Sequence, residues 1–168
     1  MKFILIFLML MANSEINQHS DLSVVRGLYQ NAAEQEAAAK KLLEITGEYN
    51  TQKPVLLGYK GAGHMMMAKH VINPFSKMSH FNKGKKIYTS AIAAAPENLE
   101  LRFLRFSVQA EAPGFLGYKQ NIEEDRQLLL KGVGEIEDPQ LQKMIMEYLL
   151  KSKEIGSAEK EKIKQNTH

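Results

Sequence analysis

The chain has 168 residues, a formal net charge of +3, 44% apolar and 24% charged residues, and neither cysteine nor tryptophan. That length supports one hydrophobic core without help from metals or cross-links. The missing cysteine excludes structural disulfides, thiolate nucleophiles, iron–sulfur ligation, Cys-based zinc sites and a lipid-modified N-terminal cysteine.

In chain order, Lys2, the apolar run over 3–11 and the small-x-small site Ala12-Asn13-Ser14 predict a cleavable signal peptide over residues 1–14. The run is about half of the roughly 20 apolar residues that a spanning helix needs. The mature chain is therefore expected to begin near Glu15, exported to the periplasm or secreted, with no stable membrane anchor. A single helical domain over 15–152 and a charged C-terminal helix or tail over 153–168 complete the expected organisation.

Asp21 is placed to cap a helix with Leu22, Val25, Leu28 and Tyr29 on one stripe, and Asn31 to bend or restart it. Residues 32–46 read as a second helix, with Ala37, Ala38, Leu42 and Ile45 inward and Gly47 as stop. Lys53-Pro54 opens the next, in which Gly58, Gly61 and Gly63 predict close backbone packing against a neighbour. Asn73-Pro74 is a cap plus first-turn proline, followed by the clearest stripe in the chain: Phe75, Met78, Phe81, Tyr88, Ala91, Ile92 and Ala95.

Pro96 ends that helix and starts another, with Leu99, Phe103, Phe106 and Ala110 aligned up to Ala112-Pro113-Gly114. An aromatic loop over 115–118 precedes a helix capped by Asn121, carrying Ile122, Leu128 and Leu129 and ending near Gly132. Asp138-Pro139 repeats the cap-plus-proline signal ahead of Leu141, Met144, Ile145, Tyr148 and Leu149. Ser157 is placed to cap a short charged helix. No segment alternates with the two-residue period of a strand, so the fold class is all-α.

Tyr88, Ala91, Ala95 and Pro96 match the second helix of a tetratricopeptide unit, although its first-helix pattern is poorly matched upstream. An irregular tetratricopeptide-like array of about six to seven helices in antiparallel pairs is expected. The echo of Leu57-Gly58-Tyr59-Lys60 in Leu116-Gly117-Tyr118-Lys119 fits no common repeat length. The segments Gly58-Tyr59-Lys60-Gly61-Ala62, Asn73-Pro74-Phe75-Ser76-Lys77, Glu100-Leu101-Arg102-Phe103-Leu104-Arg105-Phe106 and Phe115-Leu116-Gly117-Tyr118 make the chain, from about Val25 to Lys151, similar to a group of exported helical proteins from Bacteroidetes-type bacteria. The resemblance implies a tetratricopeptide-like fold and carries over neither an activity nor catalytic residues.

Charge is unevenly spread. Seven lysines (53, 60, 69, 77, 83, 85 and 86) and no Asp or Glu lie between Tyr49 and Pro96. Six acids against three bases precede that stretch over 15–48, and eight against five follow it over 97–137. Two readings stand: complementary helices within one bundle, or an anion-facing surface.

Arg102 and Arg105, three apart with Gln109 on the same helix, can grip a carboxylate or phosphate, or can pair internally with Asp125. His64, His70 and His80 are spaced six and ten apart, unlike the three or four of a helical metal pair. No catalytic constellation, metal site or cofactor motif is marked. Export argues against nucleic acid as a partner. The expected role is an exported scaffold or adaptor that binds a protein or peptide partner in the cell envelope, with Tyr59, His64, Arg102, Arg105, Gln109 and Tyr118 as candidate contacts. The alternative is a small-molecule or anion-binding protein, an unrecognised enzyme included, that uses Arg102, Arg105 and the lysine-rich helices.

Overall fold

The computed structural model describes residues 22–48 and 53–165, which are helical with no strand among them. The signal peptide expected over residues 1–14 and the Asp21 cap lie outside the described residues. No helix among the described residues is long and apolar enough to cross a membrane.

Eight α-helices are described: α1 over 22–32, α2 Glu36–Glu48, α3 Pro54–His70, α4 Pro74–Ala94, α5 Leu99–Glu111, α6 Ile122–Gly132, α7 Pro139–Lys151 and α8 Ser157–Gln165. Six to seven were expected; the charged C-terminal segment supplies the additional one. Ile163 within it and Ile155 just before it are buried, and Glu159 pairs with Arg126 of α6. Its start is tied by the Gly156 N–H donating to the Glu159 carboxylate at 2.9 Å, in place of the expected Ser157 cap.

Local chemistry explains most boundaries. The Asn73 carboxamide accepts from the Phe75 and Ser76 amides, and the Asp138 carboxylate from the Gln140 and Leu141 amides, each ahead of a proline at the first helical position. Asn98, rather than Pro96, starts α5 by accepting from the Leu101 amide at 3.0 Å. Asn121 makes no side-chain cap. Glu123, Glu124 and Asp125 instead place negative charge on the positive end of α6.

The expected helix over 32–46 breaks at 33–35 and resumes at Glu36, so that Gly47 lies inside α2 and not beyond it. That break rotates the buried stripe: Ala38, Ala39, Leu42 and Thr46 face inward, while Ala37 is exposed.

Helix α3 sits among α2, α4 and α5, and its glycines divide that work. A Cβ on Gly63 would meet Leu43 of α2 at 2.8 Å, one on Gly61 would crowd Ile87 and Tyr88 of α4, and one on Gly58 would lie 2.3 Å from Leu101 of α5. On the facing helix, a Cβ on Gly84 would stand 2.9 Å from the Gly61 carbonyl oxygen. Three neighbours thus approach one helix at three levels.

Helix α5 is buried on all sides, with Leu101, Phe103, Leu104 and Phe106 together with Glu100, Arg102, Ser107 and Gln109. The single stripe read from sequence understates this. Around it gathers the main core, including Tyr29, Tyr59, Leu129, Ile145 and Leu149. The two matching tetrapeptides have different backbones, since Gly58 is helical and Gly117 is left-handed at φ 56°.

The stripe on α4 is only half covered. Tyr88, Ala91 and Ile92 are buried, whereas Phe75 is 87% and Met78 46% exposed. Helix α4 has 21 residues and α5 has 13. At about 1.5 Å per residue, α4 is roughly 12 Å the longer. Its N-terminal turns form part of the wall of the groove described next.

Candidate functional site

Where five helices meet without closing, a groove of about 870 Å³ remains. Its walls come from α1 (Tyr29), α3 (Met65, Met66), α4 (Met78, Phe81), α5 (Phe103, Val108) and α7 (Met144, Tyr148), with Phe115 and Leu116 from the turn after α5. Methionine adapts to irregular guests and aromatic rings supply broad contact surface. Phe115 is 88% exposed at the mouth.

The polar groups at its floor are engaged with one another. The Tyr29 hydroxyl and Ser107 Oγ are 2.6 Å apart, and the Tyr148 hydroxyl donates to the Ser107 carbonyl at 3.1 Å. Burial pushes the Tyr29 phenol up to about 12, against an opposing contribution from the Ser107 hydrogen bond. The Tyr148 phenol is raised by burial, then by Tyr29 and Glu111 nearby. The arrangement is an apolar receptacle with a charged rim: Lys69 and Lys77 on the α3–α4 side, Glu111, Glu147 and Lys151 on the α5–α7 side.

None of the six candidates read from sequence lines this groove. Tyr59 is fully buried, and its hydroxyl donates to Glu100 Oε1 at 2.6 Å. Tyr118 is buried, edge-on to Phe81, with Lys85 Nζ 5.6 Å from its ring centre. Gln109 is completely buried, and its side-chain amide nitrogen and oxygen have no hydrogen-bond partner among the described residues.

Arg102 and Arg105 turn inward to α6. Arg105 closes a two-pronged grip on Asp125, Nε and Nη2 each donating over 2.7 Å. Arg102 donates from Nη1 to Asp125 at 3.0 Å and to Glu124 at 2.8 Å, and from Nε to the Pro96 carbonyl at 2.6 Å. Asp125 is fully buried. The Arg102 hydrogen bond holds the Glu124 carboxyl below the usual carboxylate range. Of the two readings left open by the sequence, the internal pair is the one formed.

A second buried network had no sequence signal. Arg26 of α1 grips Glu100 of α5 with Nε and Nη2 at 2.7 and 2.8 Å, and its Nη1 donates to Asp138 at 2.6 Å. Its partners lie 74 and 112 residues away. Local spacing therefore could not reveal them. The α1 helix is closed at its other end by His70 Nε2, 2.7 Å from the Ala32 carbonyl.

His64 and His80 meet across α3 and α4, with their Nδ1 atoms 3.0 Å apart. Burial, then the adjacent His80, Lys83 and Lys60, push His64 down to about 4. Burial and Lys83 lower His80 as well. An imidazole in the unfolded chain titrates near 6.5, so between about pH 6.5 and 4 the unfolded state binds more protons and the fold loses stability as pH falls. His64 is half-buried. After allowance for solvent screening the loss is roughly 1–2 kcal/mol. Urea denaturation at pH 7 and pH 4.5 will show it, and His64→Leu will flatten the difference. Asp138 and Glu124, held below the usual range, add their own losses mainly at lower pH.

Among the described residues no group of three or more His, Cys, Asp or Glu side chains is placed to hold a metal ion. No protein-family model, curated protein or solved structure matches this chain.

Proposed function

We propose that the chain is an exported helical scaffold or adaptor of the cell envelope whose groove takes an apolar segment of a polypeptide partner. The observation that carries this reading is the groove itself, about 870 Å³ and walled by five helices. Methionines and aromatics line it and Phe115 stands open at its mouth. An amphipathic helix laid in such a groove inserts side chains at three- and four-residue spacing.

The tetratricopeptide-like reading belongs with this proposal. Consecutive helices pack on one another in the series α2 with α3, α3 with α4 and α5 with α6. Taken as antiparallel pairs, these would stack into the concave surface that such arrays present to peptides. That step is fold-level analogy. The small-molecule or anion-binding alternative loses its arginines, which are directed at Asp125, and keeps the lysines.

The chain contains no tryptophan, so a synthetic amphipathic peptide with one tryptophan on its apolar face reports binding without background. A blue-shifted, saturable emission is expected on titration. Phe115→Asp combined with Met78→Asp removes exposed contacts of the mouth and will weaken binding by about ten- to a hundredfold, equivalent to roughly 1.4–2.8 kcal/mol. Because both residues are exposed, the melting temperature should stay within a few degrees. Failure of every amphipathic peptide to bind would reject the proposal.

A further inference from the structure

The seven lysines over 53–86 make no ion pair among the described residues; the pairs there all involve other cations. Six acids of the flanking segments pair with other cations: Glu36 with Lys40, Glu44 with Lys41, and Glu100, Glu123, Glu124 and Asp125 with arginines. Among the described residues, therefore, no direct ion pair with a neighbouring helix neutralises this segment. Lys69, Lys77, Lys83, Lys85 and Lys86 are all exposed.

This charge meets the groove on one side only. Lys69 and Lys77 border it on the α3–α4 wall, beside the exposed Phe75 and Met78, whereas the opposite wall carries Glu111 and Glu147 with Lys151. From that asymmetry we infer that the groove's natural occupant is an amphipathic helical segment whose apolar face fills the groove and whose flank against α3–α4 is acidic. The inference rests on the groove reading above and adds the chemistry of the partner. Apolar anchoring supplies affinity, and the rim selects orientation through carboxylates on Lys69 and Lys77.

An anionic bilayer is the other surface that unpaired lysines and exposed apolar residues attract. Two observations favour a peptide. A flat bilayer leaves a concavity of this size unfilled, and it would bring like charge against Glu111 and Glu147. A single helix can present acid to one wall and avoid it on the other.

The test uses three tryptophan-labelled peptides with one shared apolar face and with acidic, neutral or basic residues on one flank. The acidic peptide should bind about five- to tenfold more tightly than the neutral one at low salt, with the gap closing as salt rises. Lys69→Glu with Lys77→Glu should erase or reverse that preference, and Lys69→Gln with Lys77→Gln should reduce it. Circular dichroism will confirm that each variant is folded. Equal binding of all three peptides, or preference for the basic one, overturns the charge inference and leaves the groove reading standing. Failure of all three overturns both. Vesicles containing anionic phospholipid form the last arm: binding to them that is lost in the same variants, without selective peptide binding, assigns the surface to membranes and overturns the inference.

Discussion

Asp125→Ala will cost the protein about 3–5 kcal/mol and leave most of the chain unfolded at moderate temperature. Asp125 is completely buried and is the common anion of two arginines, accepting from Arg102 Nη1 and from Nε and Nη2 of Arg105. Removing it leaves two guanidinium groups with only the half-exposed Glu124 nearby. The cost is that of uncompensated buried charge rather than of the attraction itself. The distinction is testable within the same site. Replacing Arg102, Arg105 and Asp125 together by apolar residues of similar volume should recover much of the loss, because no charge is then stranded. Denaturant titrations of the single and triple variants give both numbers. A single variant within about 1 kcal/mol of the parent would show that water reaches the pair and that α5 and α6 do not depend on it.

The second large effect is at Glu100. Its carboxylate accepts two hydrogen bonds from Arg26 and one from the Tyr59 hydroxyl, and all three residues are buried. Glu100→Ala strands the Arg26 charge on Asp138 alone and leaves a buried phenol without its acceptor, so about 3–5 kcal/mol is again expected. Glu100→Gln retains shape and one acceptor oxygen but not the charge, and should lose less than half as much. Tyr59→Phe isolates the phenol's share at about 1 kcal/mol. Because both networks pass through α5, one joining it to α1 through Glu100 and the other to α6 through Arg102 and Arg105, combining the two substitutions tests additivity. Losses that sum within about 0.5 kcal/mol mean independent anchors.

At Gln109 the expected sign is opposite. Its side-chain amide is buried without a partner among the described residues, and Gln109→Leu or Gln109→Met removes that polar burial at similar volume. A gain of about 1–2 kcal/mol in denaturation is expected. A loss would show that the amide is hydrated.

Fold class, most helix starts and the close approach at Gly58, Gly61 and Gly63 were legible because their causes are local: periodicity, a capping residue before proline, and residues without side chains at a crossing. The failures have non-local causes. Ala37 is periodic with its neighbours, yet the break at 33–35 turns it to solvent. Phe75 and Met78 share a stripe with Tyr88, but covering that stripe depends on how far α5 extends. The groove was invisible because it takes a few residues from each of five helices. Arg102, Arg105 and Asp125 were paired correctly as one of two options, since unlike charges on adjacent helices are readable. Arg26 with Glu100 and Asp138 was not, because nothing local joins residues so far apart.

That last network also sets an order of events during synthesis. Arg26 belongs to the first helix described, and Asp138, which holds it, also caps α7. Glu100 alone can neutralise this guanidinium, so a nascent chain that has not yet delivered residue 138 lacks the Nη1 contact that ties α1 to the start of α7. The tie between the first helix and the last third of the chain therefore closes only when α7 forms, a contact of high sequence separation.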